Sequence, residues 1–206
     1  MSERTATIFV IDDAAAMRES LQWLLSSQGF APEIYSCAED FLKTFDPARE
    51  GCILLDMRMP NMSGMELMAE LEARGNLLPI IILTGHGDIP MTVQAIKRGA
   101  FDFLQKPFNS QVLLDTINAA LLQDGSNRLR LGDRHRLRAL FESLTPRETD
   151  VMKLVVAGES SKSAGKRLGI SGKTVDIHRA SILKKLKARN IAELIQTWMT
   201  FSSDSR

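Results

Sequence analysis

Apolar positions follow two regimes along the chain. Up to about residue 122, short apolar runs alternate with stretches of helical period. The runs Ile8–Ile11, Glu33–Tyr35, Cys52–Leu55, Ile80–Leu83 and Phe103–Gln105 are flanked by turn residues such as Gly29, Gly51, Pro79 and Gly99. They read as strands. Four of them are almost wholly apolar, which suits strands covered on both faces of a parallel sheet. Between them, Met17–Ser27 places Met17, Leu21, Leu24 and Leu25 on one helical face, and Met65–Ala73 and Met91–Arg98 carry similar stripes. Asp88 stands where an N-cap of the last of these would be, with Pro90 in the first turn. A final helix opens at Asn109 and runs through Leu113, Leu114, Ile117 and Leu121. Strand and helix in repeated alternation predict an α/β domain with a five-stranded, doubly wound parallel sheet.

The pattern changes at Asp-Gly-Ser-Asn 124–127, which reads as a break. An arginine-rich stretch follows, with a short helix expected from about Arg134 to Ser143. Beyond it the period is helical throughout. Thr145-Pro146-Arg147-Glu148 is a capping box with proline at the first helical position. The helix it opens buries Val151, Leu154 and Val155 and stops at Gly158. Ser160 opens a second helix ending near Leu168, Gly169-Ile170 forms a tight turn, and Ser171 opens a third to about Leu186. A fourth covers Ile191–Met199. Two short helices joined by a glycine-containing turn are a helix-turn-helix signature. The expected organisation is an α/β domain over 1–123, a linker over 124–140, and an all-α four-helix domain over 141–206.

Charge sharpens this division. The net charge of +1 conceals 9 Lys/Arg against 16 Asp/Glu in residues 1–123, and 17 against 9 in residues 124–206, or −7 and +8. Two domains with different partners fit such a step better than one domain with a basic face, and the basic one suits nucleic acid. Cys37 and Cys52 lack metal-ligand spacing and read as buried, reduced thiols of a cytoplasmic protein. No apolar run approaches about 18 residues and the first residues lack a signal-peptide layout, so neither a membrane span nor secretion is expected.

In open α/β sheets, reactive groups gather beyond the carboxyl ends of the strands. There this sequence puts Asp12-Asp13, Asp56, Thr84 and Lys106-Pro107. Three carboxylates at one sheet edge repel one another, and a hard divalent cation relieves that. Mg²⁺ keeps phosphate oxygens and waters in its shell, so the cluster reads as a Mg²⁺ site open to a phosphate. Lys106 can neutralise a phosphoryl oxygen, Thr84 can donate to another, and Asp56 can act as nucleophile to form an aspartyl phosphate. Taken singly, the residues have plainer readings. Asp12 and Asp13 can cap the next helix, Asp56 can end a strand in a turn, and Phe103 can fill core, lacking tyrosine's polar handle. His86 reads as a solvated loop residue.

The segments VIDD, LLDMRMPNMSG and LTGHGDIPMTVQAIKRGAFDFLQKPF resemble the receiver domain of two-component response regulators across residues 6–122. The resemblance implies a flavodoxin-like fold and Asp56 as phosphoacceptor. It implies Mg²⁺ held by Asp13 and Asp56, with Asp12 acting through water and Arg58 through its backbone carbonyl. It implies a cis Lys106–Pro107 peptide, and Thr84 and Phe103 as a switch pair, the ring moving into space that the threonine leaves. Ala14-Ala15-Ala16 departs from the pattern, since many relatives carry a further acid there.

In the helix from Ser171, Val175, Ile182 and Leu186 fall on one face and pack inward. Lys173, Asp176, Ile177, Ala180, Lys184 and Lys187 lie on or near the other. Ile177 and Ala180 suit thymine methyls, Asp176 suits cytosine N4, and Lys173 and Lys184 suit phosphates, with Arg179 able to serve either purpose. A solvated charged face is the plain alternative. The stretch LTPRETDVMKLVVAGESSKSAGKRLGISGKTVDIHRASILKKL resembles the LuxR-type helix-turn-helix, and the two halves together resemble FixJ-type response regulators. This likeness implies DNA contacts by Lys162, Lys173, Thr174, Asp176, Ile177, Arg179, Ala180 and Lys184, and a dimer contact on the fourth helix. Ala164-Gly165 departs from it, where a larger aliphatic and alanine are usual. Glycine inside a helix costs about 1 kcal/mol against alanine, so a marginally stable domain is expected.

The whole implies a regulator phosphorylated by a sensor histidine kinase, homodimeric when phosphorylated, that binds promoter DNA and engages RNA polymerase as an activator. The opposite charges of the two halves suit docking of the acidic half on the basic half in the inactive state. A phosphatase reading is opposed by Arg58 where a second acid would stand. A regulator that uses its receiver only to dimerise, without phosphate, is opposed by the intact set Asp13, Asp56, Thr84 and Lys106.

Overall fold

The computed structural model describes residues 6–85 and 89–203. The chain divides into two compact units, Met1–Arg128 and Leu129–Arg206. His86 and Asp88 lie outside the described residues.

In the first unit β1 (Thr7–Ile11), β2 (Ala31–Tyr35), β3 (Gly51–Asp56), β4 (Ile80–Thr84) and β5 (Asp102–Gln105) form one sheet in the order β2-β1-β3-β4-β5. Every pair is parallel, with Ile11 opposite Leu55 and Asp56 opposite Leu83. The connecting helices are α1 (Ala15–Ser27), α2 (Ala38–Thr44), α3 (Gly64–Ala73), α4 (Ile89–Lys97) and the start of α5 (Ser110–Glu142). Alternation along each strand supplies a core to both sheet faces. Ile8, Val10, Leu54, Ile81 and Leu83 pack with Leu21 and Leu25 of α1 and with Leu113 and Ile117 of α5. Phe9, Ile11, Ile53, Leu55 and Ile82 pack with Phe41 of α2, Leu67 and Leu71 of α3 and Ala95 of α4. This is the expected α/β architecture. The pattern gave no bounds for α2, a seven-residue helix whose apolar stripe is too short to establish a period. Cys52 is fully buried, and burial pushes its thiol up to about 12. Cys37 is only half-buried, against the expectation of two buried thiols.

The break expected at 124–127 does not occur. Helix α5 runs through it. Asp124 is buried and accepts from the Gly51 N–H at 3.0 Å and from Arg128 Nε at 2.9 Å. Arg128 also donates to the carbonyls of Pro47 at 3.3 Å, Ala48 at 3.1 Å and Arg49. These bonds tie residues 124–128 to the loop before β3 and oppose the roughly 1 kcal/mol that a helical glycine such as Gly125 costs.

In the second unit the last part of α5 precedes α6 (Pro146–Val156), α7 (Ser161–Leu168), α8 (Gly172–Lys185) and α9 (Ile191–Ser203). Thr145 and Glu148 form the expected capping box, and Ser160 and Ser171 cap α7 and α8. Val151, Met152, Val155, Ala164, Val175, Ile182, Leu186 and Leu194 make the core. Met152 is buried where Leu154 was expected, and Leu154 is half-buried. Phe141 stacks edge-on to Trp198 at 5.4 Å between centroids and lies 4.7 Å from Phe201. This ring cluster accompanies an α9 longer than the expected Ile191–Met199.

Gly165 has a steric cause. A Cβ there would stand 2.7 Å from the Ile170 carbonyl oxygen, closer than real Cβ atoms come to backbone. The residue that weakens α7 by propensity is the one that lets α7 approach the turn into α8.

Candidate functional site

Strand order reverses between β1 and β3, and their carboxyl ends carry the acidic residues. Asp12 follows β1, and Asp56 is the last residue of β3. Carboxylate oxygens of Asp12, Asp13 and Asp56 lie within 4.8 Å of one another, with Asp12 and Asp56 buried and Asp13 exposed. Lys106 follows β5 and sits between the two buried acids. Its Nζ is 2.7 Å from Asp12 Oδ2 and 2.9 Å from Asp56 Oδ1. The Lys106 N–H donates to the Thr84 carbonyl at 2.7 Å, which holds the two strand ends together. The Lys106–Pro107 peptide is cis, as the resemblance implied.

Local structure fixes this cluster from both sides. Asp12 Oδ1 accepts from the Ala14 N–H at 2.9 Å, and Arg18 donates to the carbonyls of Asp12 and Asp13 at 2.8 and 2.7 Å. Arg18, one turn into α1, belongs to no motif that would mark it in the sequence. Behind Asp56, the loop turns back closely enough that a Cβ at Gly64 would stand 2.6 Å from the Asp56 carbonyl oxygen. Ser63 and Glu66 then start α3 with a capping box. Arg58 lies in this loop.

Burial raises the Asp56 carboxyl above its ordinary value. Lys106 pulls the other way, and the charges of Asp12 and Asp13 push it further up. For Lys106, burial pulls the ammonium down, but hydrogen bonds to Asp12 and Asp56 outweigh it and raise it overall. The donor set is all oxygen and clustered, which fits a hard cation such as Mg²⁺.

Thr84 is buried, and its hydroxyl donates to the Gly85 carbonyl at 3.3 Å. Phe103 is 45% exposed, which excludes the core-filling reading. Between them lies an apolar groove of about 550 Å³, lined also by Val93, Ile96 and Lys97 of α4 and by Gln105. Val93 and Ile96 are exposed too.

In the second unit, α8 buries Val175 and Ile182 and presents Lys173, Ile177, Ala180 and Lys184 outward at helical spacing, with Ile177 63% exposed. Lys162 is exposed on α7. Thr174 is half-buried and turned into the helix start, its hydroxyl 2.8 Å from that of Ser171. Lys187 lies past the end of α8 in left-handed backbone, not on the helix face as expected. Asp176 and Arg179 reach the same partner on α7, Ser161, at 2.5 and 2.7 Å. Glu148 is buried under α8, accepting from Ser181 Oγ and Lys185 Nζ, both at 2.7 Å. Hydrogen bonds from Lys185 and Ser181 hold its carboxyl down at about 2. Neither Ser161 nor the buried role of Glu148 was foreseen.

Residues 8–118 match the family described as the response regulator receiver domain, and residues 142–198 the bacterial regulatory proteins of the luxR family. The chain belongs to the response regulators that carry a LuxR-type DNA-binding domain. The transcriptional regulatory protein TdiR of Thauera aromatica is 43% identical to this response regulator over 198 residues, 96% of the chain and 87% of TdiR. The solved structure of the response regulator StyR is 44% identical with a TM-score of 0.85, covering 95% of this chain and 99% of that one. Full-length FixJ from B. japonicum is 38% identical with a TM-score of 0.60, covering 96% and 98%. Relatives of this response regulator are thus transcriptional regulators. Among the described residues no helix is long and apolar enough to cross a membrane.

Proposed function

We propose that Asp56 accepts a phosphoryl group from a sensor histidine kinase, and that this controls promoter binding by α8. The observation that carries the reading is Lys106 Nζ bonded to both Asp12 and Asp56 at the sheet's switch point. An Asp56 oxygen forms the new O–P bond as the N–P bond of a phosphohistidine breaks. Lys106, whose ammonium already faces Asp56, is placed to follow the charge onto a phosphoryl oxygen. Thr84 exchanges its weak bond to the Gly85 carbonyl for a phosphoryl oxygen. Asp12, Asp13 and Asp56, with the Arg58 carbonyl, would hold Mg²⁺, which when bound neutralises charge shared between carboxylates and phosphoryl group.

Rotation of Thr84 frees space toward the groove, and Phe103 moves from its exposed position into it. The face made by Val93, Ile96 and Phe103 then pairs with that of a second receiver. Pairing brings two α8 helices to half-sites about 34–36 Å apart. Lys162, Lys173 and Lys184 contact phosphates, and Asp176, Ile177 and Ala180 meet base edges, with Arg179 and Thr174 beside them. The output is activation through RNA polymerase, in the cytoplasm.

The test is molar mass and DNA affinity before and after treatment with a small phosphodonor and Mg²⁺. The wild-type protein gains one phosphoryl mass, doubles in molar mass and binds its promoter more tightly, whereas Asp56→Asn does none of these. A chain that stays monomeric and binds DNA equally in both conditions sinks the proposal.

A further inference from the structure

Three polar side chains on the outer surface of α7 and α8 bond to one another instead of being solvated singly. Arg179 Nη1 donates to Ser161 Oγ at 2.7 Å, and Ser161 Oγ donates to Asp176 Oδ1 at 2.5 Å. Arg179 Nη1 lies 3.8 Å from that same carboxylate oxygen. A hydroxyl has one hydrogen to give and lone pairs to receive with, and Ser161 uses both functions here. A donor chain of this kind polarises along its length, and its charged ends strengthen each link.

The chain answers a problem posed by Asp176. It is an exposed carboxylate on a face that otherwise offers Lys173 and Lys184. Near a duplex it is repelled by phosphates. Arg179 compensates its charge from one turn away, and Ser161 fixes its direction from the neighbouring helix. Both contacts are made through Oδ1, which leaves Oδ2 available to accept. An acceptor held in place before binding loses less freedom on binding than a swinging one, and so discriminates better.

We propose that Ser161 is a specificity-determining positioning residue: through the Arg179–Ser161–Asp176 chain it holds the Asp176 carboxylate to accept from the exocyclic amine of a cytosine in the major groove. Ser161 itself touches no base. The inference rests on the reading of α8 as the groove-reading helix given above.

Selection from a duplex library with a randomised core tests it, using full-length protein treated with acetyl phosphate and Mg²⁺. Wild-type protein is expected to show one position per half-site with a preference for cytosine that Asp176→Ala removes. Ser161→Ala should cut that one preference about fivefold while leaving the other positions and the salt dependence unchanged. Ser161→Thr keeps a hydroxyl and should restore it. Unchanged thermal unfolding of Ser161→Ala confirms an intact fold. The inference is overturned if Ser161→Ala leaves the cytosine preference intact or weakens all positions evenly, if Ser161→Thr does not restore it, or if the Asp176-sensitive position prefers another base. If wild-type protein enriches no sequence, or Asp176→Ala changes no position, the groove-reading assignment itself fails, a result distinct from the loss of Ser161's role alone.

Discussion

Glu148 shows how one side chain can organise a helix it does not belong to. It closes the capping box of α6 and, from the same carboxylate, receives Ser181 and Lys185 of α8. Its carboxyl titrates near 2, against an ordinary value of 4.5 when unfolded. The lowered value means that its stabilisation is complete above about pH 4.5 and is lost as pH falls through 2. The shift corresponds to about 3 kcal/mol. Glu148→Gln should therefore lower the stability of the second unit by about that amount at pH 7, and flatten its stability between pH 4.5 and 2, as read by urea unfolding across pH. Gly165 is a second case where one residue decides spacing. Gly165→Ala gains about 1 kcal/mol of helix propensity, but its methyl meets the Ile170 carbonyl. Overpacking against backbone costs about 1–3 kcal/mol. Unfolding should show a net loss of up to about 2 kcal/mol, and a gain would show that the turn yields easily. The capping box was legible from Thr145 and Glu148 alone, but the partners across the core were not, because a four-residue motif carries no information about side chains more than thirty residues away.

Elements were legible where period or chemistry was strong. The five strands follow from short apolar runs, the receiver site from acids and lysine at successive strand ends, and α6 to α8 from caps and glycine stops. Failures came where tertiary contacts outweigh local preference. Asp-Gly-Ser-Asn is a sound turn signal, yet Asp124 is buried and α5 continues through it. Its i,i+4 spacing to Arg128 was the one available clue. Asp124→Ala would leave the Gly51 N–H without its acceptor and the half-buried Arg128 without its carboxylate counter-charge. It should cost the first unit about 3 kcal/mol in urea unfolding. A change under about 0.5 kcal/mol would mean that α5 persists past residue 123 without the anchor. Phe103 was ambiguous for a related reason: a phenyl at a strand edge fits core or surface equally, and only the groove beside it separates the two.

Over the whole molecule, charge of opposite sign is sorted between the two units, and function divides with it. The acidic half collects carboxylates at one sheet edge, and the basic half presents lysines around an apolar stripe on α8. Each lysine engaged with a phosphate releases counterions on binding. Lys184→Ala should make the slope of log affinity against log salt less steep by about one, without altering which duplex is preferred. A slope that does not move would take Lys184 off the phosphate path. The Asp124–Arg128 anchor bears on how such regulators can be recombined. The match to the receiver family ends at residue 118, whereas Asp124 and Arg128, further along α5, still bond to the first unit. Chimaeras that graft a foreign output module at the homology boundary would amputate that anchor. A splice placed after Arg128 would keep it, giving biosensor builders a different cut site from the one that homology suggests.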